Sequence, residues 1–493
     1  MSRKEDLDQR QKLPITFRLH LSFWLLAVIF FSIYMATLDS RAQFDSLISA
    51  AWVESWKPAH GFTSLFSWNH FLFNPAGWIL FKILRPWHTS GYRTLQYIDA
   101  AAGAASVALL FSFLAKRTGS IPWSAGWSVL LGFSHIFWRQ AVSAEAYTVG
   151  AFWTLWTVVR CCAYIESPSL VNLSACVVFS ALAFMFHTGN LLAVTPLFIA
   201  LWFSSNKIPL RKHSFHMIGL GIILLIPYAT AHHLTNIRGV MGWITTLNYS
   251  QRAFEGAFSS SNAWSPNLFQ GMGALRAMAL SQDANIYAVA AIFSLPLLAG
   301  MSHNKNYYLR IDPVRRKQII LFGATLLPYT ILYSFWQGGS SSYWCVHAAL
   351  FCGLLGLFSP QETPNRPTDR LRLTAPWVAA ALAGIFNLTD TIYPNRQIVN
   401  FPTIAFCRSL GRLTPPDAHF LISGLSSDLK AYLPFFSHRK RIALDLFLIA
   451  SPKDMALSQA NAKLKTLFNQ GIPVYKLSEL DDPQHLRTMH ETW

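Results

Sequence analysis

The sequence is poor in charged residues and in the motifs that mark soluble enzymes. Asp, Glu, Lys and Arg make up 13% of its 493 residues, about half of the share in soluble proteins. It contains no G-x-G-x-x-G or G-x-x-x-x-G-K motif, no H-E-x-x-H, no C-x-x-C pair and no EF-hand loop, so neither a nucleotide site nor a standard metal site is indicated. Its 6 cysteines fall mostly within apolar stretches, which excludes a disulfide-stapled module.

Apolar residues, by contrast, are abundant and grouped. They make up 52% of the chain, with 37 Phe and 18 Trp, and the mean hydropathy is +0.30. They form blocks of roughly 20 residues, the length that crosses a bilayer as an α-helix. We therefore predict an α-helical integral membrane protein with about eleven transmembrane helices. The predicted spans lie near residues 17–38, 95–115, 121–138, 141–164, 170–187, 190–205, 215–234, 284–302, 318–337, 342–358 and 374–394.

The excess of basic residues indicates how these helices are oriented. Lys plus Arg number 40 against 23 Asp plus Glu, giving a net charge of +17. Basic residues gather in the N-terminal run 1–12, at Lys116 and Arg117, and in the run 305–317. All of these fall on one side if every predicted helix crosses the bilayer, and by the positive-inside rule that side is the cytoplasm. The charge is thus an orientation signal and does not indicate a nucleic-acid partner.

The regions outside the predicted helices are large enough to form sites. Residues 1–394 form the predicted membrane domain, which has long outer loops at 39–94 and 235–283. The apolar stretch 70–84 is too short and too interrupted to cross, so we expect it to lie in the membrane interface. Residues 395–493 alternate strand-like and helix-like segments, which predicts a small α/β domain with a parallel sheet. This domain is extracytoplasmic if the number of spans is odd.

Asp39 and Asp45 are the first acids beyond the first predicted helix. A carboxylate at this position can act as a general base towards an acceptor hydroxyl while a lipid-linked donor lies in the membrane. The structural alternative for each is an ordinary solvated loop acid.

Arg139 and Glu145 lie at the outer junction between the third and fourth predicted helices. Ionisable residues at such positions are functional candidates by default. A guanidinium can bind phosphate oxygens in bidentate fashion, and Glu145 can bind a cation or position the acceptor. The structural alternative is that Ser143 caps the next helix with Glu145 in its first turn, while Arg139 extends to the lipid headgroups.

Two further outer turns carry polar residues. His187 lies in the short turn 185–190 and can contact a donor phosphate or an acceptor. Its structural alternative is a turn histidine bonded to the backbone. The Gly/Ser-rich turn 335–344 is flanked by aromatic residues. It either lines a sugar-sized cleft or belongs to an aromatic belt at the membrane interface.

Five short motifs follow one another in the N-terminal half of the chain. They are 44–51 (FDSLISAA), 70–78 (HFLFNPAGW), 92–96 (YRTLQ), 137–147 (FWRQAVSAEAY) and 187–190 (HTGN). In this order they resemble the GT-C superfamily of membrane glycosyltransferases. The pattern is most similar to the family of the vertebrate multi-pass protein O-mannosyltransferase that is distinct from the standard ones, together with its bacterial relatives.

The resemblance implies a GT-C fold and the transfer of a sugar from a polyprenyl-phosphate donor to a protein, lipid or envelope-glycan acceptor on the outer face. It also implies that an acid of the first outer loop is the base, a role we carry to Asp45 with Asp39 in reserve. The candidates for binding donor or substrate are Arg139, Glu145, His70, His60, Arg93 and His187.

The chain departs from the family's pattern around Asp45. Leu47 stands where the family has a glycine, and Ile48 stands where it has a glutamate. About a dozen extra residues precede His70, so His60 competes with His70 for the position of the family's histidine. These departures affect acceptor specificity more than reaction type.

We therefore expect a multi-pass glycosyltransferase of a bacterial inner membrane, with a cytoplasmic N-terminus and a periplasmic C-terminal domain. Its partners would be the lipid-linked donor, the acceptor and membrane lipids. No cofactor is firmly indicated, and a divalent cation between Asp45 and Glu145 stays open because no recognisable ligand spacing supports it. The alternatives are a lipid-linked glycan transporter or flippase, and a catalytically degenerate family member.

Overall fold

The computed structural model describes most of the chain in two compact units. The described residues are 15–57, 65, 70–204, 214–215, 218–219, 221–222, 311–336, 341–358, 367–422, 427–444 and 453–477. The first unit, called here the membrane unit, comprises Met1–Leu38 and Trp56–Tyr393. The second, called the C-terminal unit, comprises Asp39–Ser55 and Pro394–Trp493.

The membrane unit is helical throughout its described part. Its helices are α1 (Ile15–Ala36), α3 (Phe73–Leu84), α4 (Gly91–Thr118), α5 (Ile121–Phe133), α6 (His135–Val142), α7 (Tyr147–Glu166), α8 (Leu170–Phe186), α9 (Thr195–Ser204), α10 (Pro313–Trp336), α11 (Cys345–Gly356) and α12 (Pro367–Asn387). Short 3-10 segments at Arg85–Trp87, Thr188–Val194 and Ser341–Trp344 and a π-helical turn at Leu388–Ile392 lie between or after them.

Helix α4 is the central element of this unit. It packs against α1, α3, α5, α6, α7 and α11, and its middle is rich in alanine, which allows close helix packing. A Cβ on Gly103 would lie 2.8 Å from the Ala141 Cβ and 2.9 Å from the Tyr34 ring, so glycine is needed where α4 meets α6 and α1. The Ser90 hydroxyl caps α4 by accepting from the Arg93 backbone N–H at 3.2 Å, which satisfies one unpaired donor of the first turn.

Several of these helices have the composition of membrane spans. Leu19–Ala36, Gly91–Thr118 and Tyr147–Glu166 are long and apolar enough to cross a bilayer, and Leu170–Phe186, Thr188–Ser204 and Cys345–Gly356 are shorter apolar helices. The protein is therefore an integral membrane protein. The total of about eleven spans stays a prediction, because 215–234 lies largely and 284–302 entirely outside the described residues, as does the loop 235–283.

One predicted span is wrong in detail. The stretch 121–138 is not a single helix, because α5 ends at Phe133 and α6 begins at His135. Ser134 between them has extended backbone angles, φ −61° and ψ 138°. The break makes the short α6 a separate element, which the apolar composition of the stretch alone does not reveal.

The C-terminal unit combines helices with a small parallel sheet. Its helices are α2 (Phe44–Ser55), α13 (Pro402–Leu413), α14 (Ser427–Ser437) and α15 (Lys453–Asn469), and its strands are β1 (His419–Ile422), β2 (Lys440–Ala443) and β3 (Val474–Lys476). The strand order is β2-β1-β3 with both pairs parallel, as the alternation of strand-like and helix-like segments predicts.

The grouping of residues 39–55 differs from the predicted domains, which place this segment in the membrane domain. Helix α2 packs on α14, and the Tyr432 hydroxyl donates to the Ala42 carbonyl at 2.5 Å. The Ser40 backbone N–H and hydroxyl donate to the carbonyls of Asn395 and Arg396 at 2.9 and 2.7 Å. These contacts join sequence-distant segments, so composition could not have assigned this segment to the C-terminal unit.

Candidate functional site

The two acids predicted as base both lie in the C-terminal unit. Asp39 is buried, and its carboxylate accepts a hydrogen bond from the Arg41 backbone N–H at 2.6 Å. Asp45 lies in the first turn of α2 and is exposed, yet partial desolvation raises the pKa of its carboxyl group above the ordinary value of 3.8. Asp39 is thus engaged in a turn, whereas Asp45 is accessible and a slightly stronger base than a fully solvated aspartate.

The turn that carries Glu145, in the membrane unit, is held by polar contacts from neighbouring elements. Gln96 of α4 donates through Nε2 to the Val142 carbonyl at 2.8 Å. Gln140 of α6 donates through Nε2 to the Ser342 hydroxyl at 3.0 Å. Glu145 itself is only 8% exposed, so its carboxyl group occupies a fixed and largely buried position.

Asp99 is a second acid at this turn, and it is not among the site residues predicted from the sequence. It lies on α4 one turn after Gln96, is fully buried, and interacts electrostatically with Glu145. The backbone N–H groups of Glu145 and Val149 face its carboxyl group. The signal was present in the sequence, since an aspartate within a predicted span is a functional candidate by default.

His187 and His70 come together at the end of α8. The His187 backbone N–H closes the helix on the Ala183 carbonyl at 3.1 Å. Its ring lies 5.1 Å from the His70 ring and 4.7 Å from the Tyr147 ring, centroid to centroid. The His70 segment is fastened to the same helix end, because the Leu72 backbone N–H donates to the Met185 carbonyl at 3.0 Å.

Both imidazoles of this pair are uncharged at neutral pH. Burial lowers the pKa of His70 to about 4, with a hydrogen bond to the Phe186 backbone partly opposing the shift. Burial and the neighbouring His70 hold the pKa of His187 well below 6.5. The His187 Nδ1 accepts from the Gly189 backbone N–H at 3.1 Å, so its proton resides on Nε2. The pair can therefore offer hydrogen bonds to a ligand but no positive charge to a phosphate.

The other predicted binding residues are dispersed. Arg93 is half-buried in the first turn of α4, and its Nη1 donates to the Gln96 Oε1 at 2.8 Å, so it orients the side chain that holds the Glu145 turn. Arg139 is half-buried on α6. His60 lies outside the described residues. The match of the family's histidine to His60 or His70 stays a prediction.

The far side of the His187 turn packs on aromatic residues of α10. A Cβ on Gly189 would lie 2.5 Å from the Tyr333 hydroxyl oxygen, so only glycine permits this approach. The Tyr329 hydroxyl donates to the Asn190 Oδ1 at 3.5 Å. Asn190 is 2% exposed, which makes this turn part of the core of the unit.

The turn before α11 faces inwards where the structure describes it. Trp344 is fully buried, which contradicts the aromatic-belt interpretation for this residue. Its ring lies 4.4 Å from that of His347, and neither nitrogen of the buried His347 ring has a partner among the described residues. A sequence does not reveal that such a histidine lacks partners, because most histidines on apolar helices are hydrogen-bonded within the core.

The divalent cation considered between Asp45 and Glu145 stays a prediction. Among the residues that the structure describes, no group of three or more His, Cys, Asp or Glu side chains could hold a metal ion. Asp45 and Glu145, the pair considered for a shared cation, belong to different units.

Solved proteins that share the fold include ArnT and AglB. The chain is similar to ArnT from Cupriavidus metallidurans, solved both bound to undecaprenyl phosphate and in the apo state, with TM-scores of 0.54 and 0.55, 10% identity and coverage of 94% of this chain and 90% of ArnT. It is also similar to the archaeal oligosaccharyltransferase AglB from Archaeoglobus fulgidus, solved with an inhibitory peptide and a dolichol-phosphate. That match has a TM-score of 0.51 and 10% identity and covers 86% of this chain and 64% of AglB.

No protein-family model and no curated protein sequence matches the chain. The class is therefore defined by fold alone: this is an integral membrane protein with the architecture of ArnT and AglB. At 10% identity the likeness shows a shared fold, and membership of the GT-C superfamily stays a prediction. The narrower likeness to the protein O-mannosyltransferase family stays a prediction.

Proposed function

We propose that the protein is a membrane glycosyltransferase that takes a sugar from a polyprenyl-phosphate donor. The observation that carries this proposal is the fold shared with ArnT over 94% of the chain. ArnT was solved with undecaprenyl phosphate and AglB with a dolichol-phosphate, which supports a lipid-phosphate donor here. The acceptor is a protein, a lipid or an envelope glycan, and the site faces the outer side of a bacterial inner membrane.

In the proposed reaction, Asp45 takes the proton from an acceptor hydroxyl as that oxygen attacks the anomeric carbon of the sugar. The bond from that carbon to the phosphate oxygen breaks, and the lipid phosphate leaves with the electron pair. The accessibility of Asp45 and its raised pKa support this role, because a base works best when its pKa approaches the working pH. Asp39 is the reserve candidate.

The remaining candidates bind and orient the two substrates. Arg139 and Arg93 are the cations proposed to meet the donor phosphate, since a guanidinium matches phosphate oxygens. Glu145 is proposed to position the acceptor hydroxyl from its buried turn. His70 and His187 contribute as neutral hydrogen-bonding groups, because their lowered pKa values leave them uncharged.

The test is transfer from labelled polyprenyl-phosphate sugars to candidate acceptors by the purified protein in lipid nanodiscs. Asp45→Asn is expected to lower turnover by about 10²–10⁴-fold, the usual contribution of a general base. Asp417→Asn is the matched control, because Asp417 is an exposed acid of the same unit and has no assigned role. Full turnover in both Asp45→Asn and Asp39→Asn would remove the proposed base.

A second candidate function is a transporter or flippase for a lipid-linked glycan. The buried Asp99 on α4 favours it, because acidic residues within membrane helices often line a translocation path. Flipping of a labelled lipid-linked glycan in reconstituted vesicles, without sugar transfer to any acceptor, would establish this alternative and exclude the first.

A further inference from the structure

Helix α3 and the turn before it carry unpartnered polar atoms at a regular spacing. Asn74 and Trp78 are four residues apart on α3 and therefore share one face. His70 lies four residues before Asn74, in the turn that leads into the helix. The His70 Nδ1, both amide atoms of Asn74 and the Trp78 Nε1 are buried and lack a hydrogen-bond partner among the described residues.

Asn74 is the most unusual of the three. Its side chain is fully buried, and an amide buried without partners costs free energy that folded proteins normally avoid. Trp78 is half-buried and its ring lies 4.6 Å from that of Trp56. Lys82, one turn further on, is exposed with its Nζ 5.6 Å from the Trp78 ring centroid. The face thus runs from a buried amide to an exposed cation.

The unpartnered atoms are a mixture of donors and acceptors. The Asn74 Nδ2 and the Trp78 Nε1 are donors, whereas the Asn74 Oδ1 is an acceptor. The His70 ring is neutral, and a hydrogen bond to the Phe186 backbone engages it. Because its Nδ1 has no partner, the proton that makes this bond is on Nε2, and Nδ1 is a second acceptor.

This mixture selects the chemistry of the ligand. A phosphate would satisfy the two donors but would leave both acceptors facing negative oxygens. A hydroxyl group donates and accepts at once, so the hydroxyls of a sugar ring suit a mixture of donors and acceptors better than a phosphate does. The aromatic ring of Trp78 adds an apolar surface of the kind on which sugar rings pack.

We propose that His70, Asn74 and Trp78 form a binding site for the hydroxyl groups of a sugar ring. The inference rests on the proposed glycosyltransferase function, for which it supplies a residue set that selects the sugar. The sugar is either the one carried by the lipid-phosphate donor or one belonging to a glycan acceptor, and the two sources present the same hydroxyl chemistry.

The first test is the stability of the Asn74→Leu variant without ligand. Leucine keeps nearly the same volume and removes both unpartnered atoms, so the melting temperature in nanodiscs is expected to stay equal or rise. The matched control is Asn387→Leu, because Asn387 is equally buried but donates to the Phe133 carbonyl at 2.8 Å. This control is expected to melt at a lower temperature. A comparable loss of stability in Asn74→Leu would overturn the proposal.

The second test measures how ligands protect each variant against thermal unfolding. The probes are undecaprenyl phosphate, undecaprenyl-phosphate mannose and undecaprenyl-phosphate glucose, and separately a short mannan or glucan as acceptor. In Asn74→Leu the protection added by the sugar is expected to vanish and the KM of that substrate to rise about tenfold or more, while protection by undecaprenyl phosphate remains. Trp78→Phe, which removes one donor and keeps an aromatic ring, is expected to lose part of the thermal protection that the sugar adds.

The outcomes separate this site from the proposed function. If Asn74→Leu loses the extra rise in melting temperature that the sugar of the lipid-phosphate donor adds, the site binds the transferred sugar. If it loses the rise caused by mannan or glucan, the site binds the acceptor. If the wild type transfers sugar and every ligand raises the melting temperature of Asn74→Leu as much as that of the wild type, the proposed sugar site is refuted and the proposed function stands. If Asn74→Leu loses only the response to undecaprenyl phosphate, the site binds phosphate and the proposal fails. A wild type that is protected by sugar but never transfers it would refute the function alone.

Discussion

The two ends of helix α4 bring together different kinds of ionisable side chains. At its C-terminal end, Arg117 pairs with Glu166, whose carboxylate also accepts from the Gln318 Nε2 at 2.5 Å. At its N-terminal end, Asp99 lies beside a second acid, Glu145, and faces the backbone N–H groups of Glu145 and Val149. A pair of opposite charges holds helices together, whereas two acids brought side by side repel each other and need another explanation, such as a ligand.

The C-terminal end of α4 therefore belongs to the structural scaffold, and its N-terminal end belongs to the candidate site. Arg117 and Glu166 are partly exposed, 17% and 24% for their side chains, as expected for a network near a helix end. Asp99 is completely buried, where an isolated charge is costly. Mutations at the first end should therefore change stability, and mutations at the second end should change activity.

The largest expected effect is that of Glu145→Gln. The side chain is nearly isosteric and the turn is held by Gln96 and Gln140 independently of the carboxylate, so the fold should be preserved. Losing the negative charge of a buried group that orients the acceptor is expected to lower kcat/KM by about 100-fold. Steady-state transfer kinetics check this, with melting temperature as the control. Wild-type kinetics in this variant would remove Glu145 from the site.

Lowering the pH should reduce the stability of the fold through the buried pair His70 and His187. An unfolded histidine titrates near 6.5, whereas burial lowers the pKa of His70 to about 4 in the fold. Between these values the unfolded chain binds more protons, so stability falls as the pH is lowered through this window. For His70 alone the loss approaches about 3 kcal/mol. His187, whose pKa is also lowered, adds to it.

Melting curves between pH 7.5 and 4 for the wild type and His70→Asn measure this effect. The variant is expected to show a shallower fall. His88→Asn is the matched control, because His88 is exposed and holds a left-handed φ of 55° that asparagine also adopts. An identical slope in His70→Asn and the wild type would contradict the buried neutral histidine.

The smallest effects have opposite signs at the two ends of α4. Glu166→Gln removes the partner of Arg117 and should lower stability by about 1 kcal/mol, since the pair is partly exposed. Asp99→Asn removes an acid beside Glu145 and should leave the melting temperature unchanged or higher. Thermal unfolding of both variants under one condition tests the contrast. Equal losses at the two ends would show that Asp99 belongs to the scaffold.

Much of the fold follows from periodicity and length. The predicted span 95–115 lies within α4 and 170–187 corresponds to α8, because long apolar runs have few alternatives. The alternation predicted for residues 395–493 also appears in the structure, where α15 (Lys453–Asn469) lies between β2 and β3 in the chain. The break at Ser134 was not predicted because no proline marks it and Gly132 lies within the apolar run, and a single extended residue is enough to end one helix and begin another.

The candidate site was predictable only in part. The His187 turn and the Glu145 turn are short polar interruptions between apolar runs, and such interruptions are visible in a sequence. The meeting of His70 with His187, and of Asp99 with Glu145, depends on how distant helices pack. The unpartnered amide of Asn74 is invisible without coordinates, since an asparagine in a loop is ordinarily solvated.

The membership of residues 39–55 in the C-terminal unit has a consequence for how the protein is made. The ribosome synthesises this segment early, but its packing partner α14 follows roughly 380 residues later, a delay of about 20–80 s at 5–20 residues per second. Helix α2, which carries Asp45, can pack on α14 only after most of the chain has been translated and inserted into the membrane. The unit that carries the proposed base Asp45 would thus fold only near the end of synthesis. An unfinished chain would contain the helices of the membrane unit but would lack a folded catalytic base.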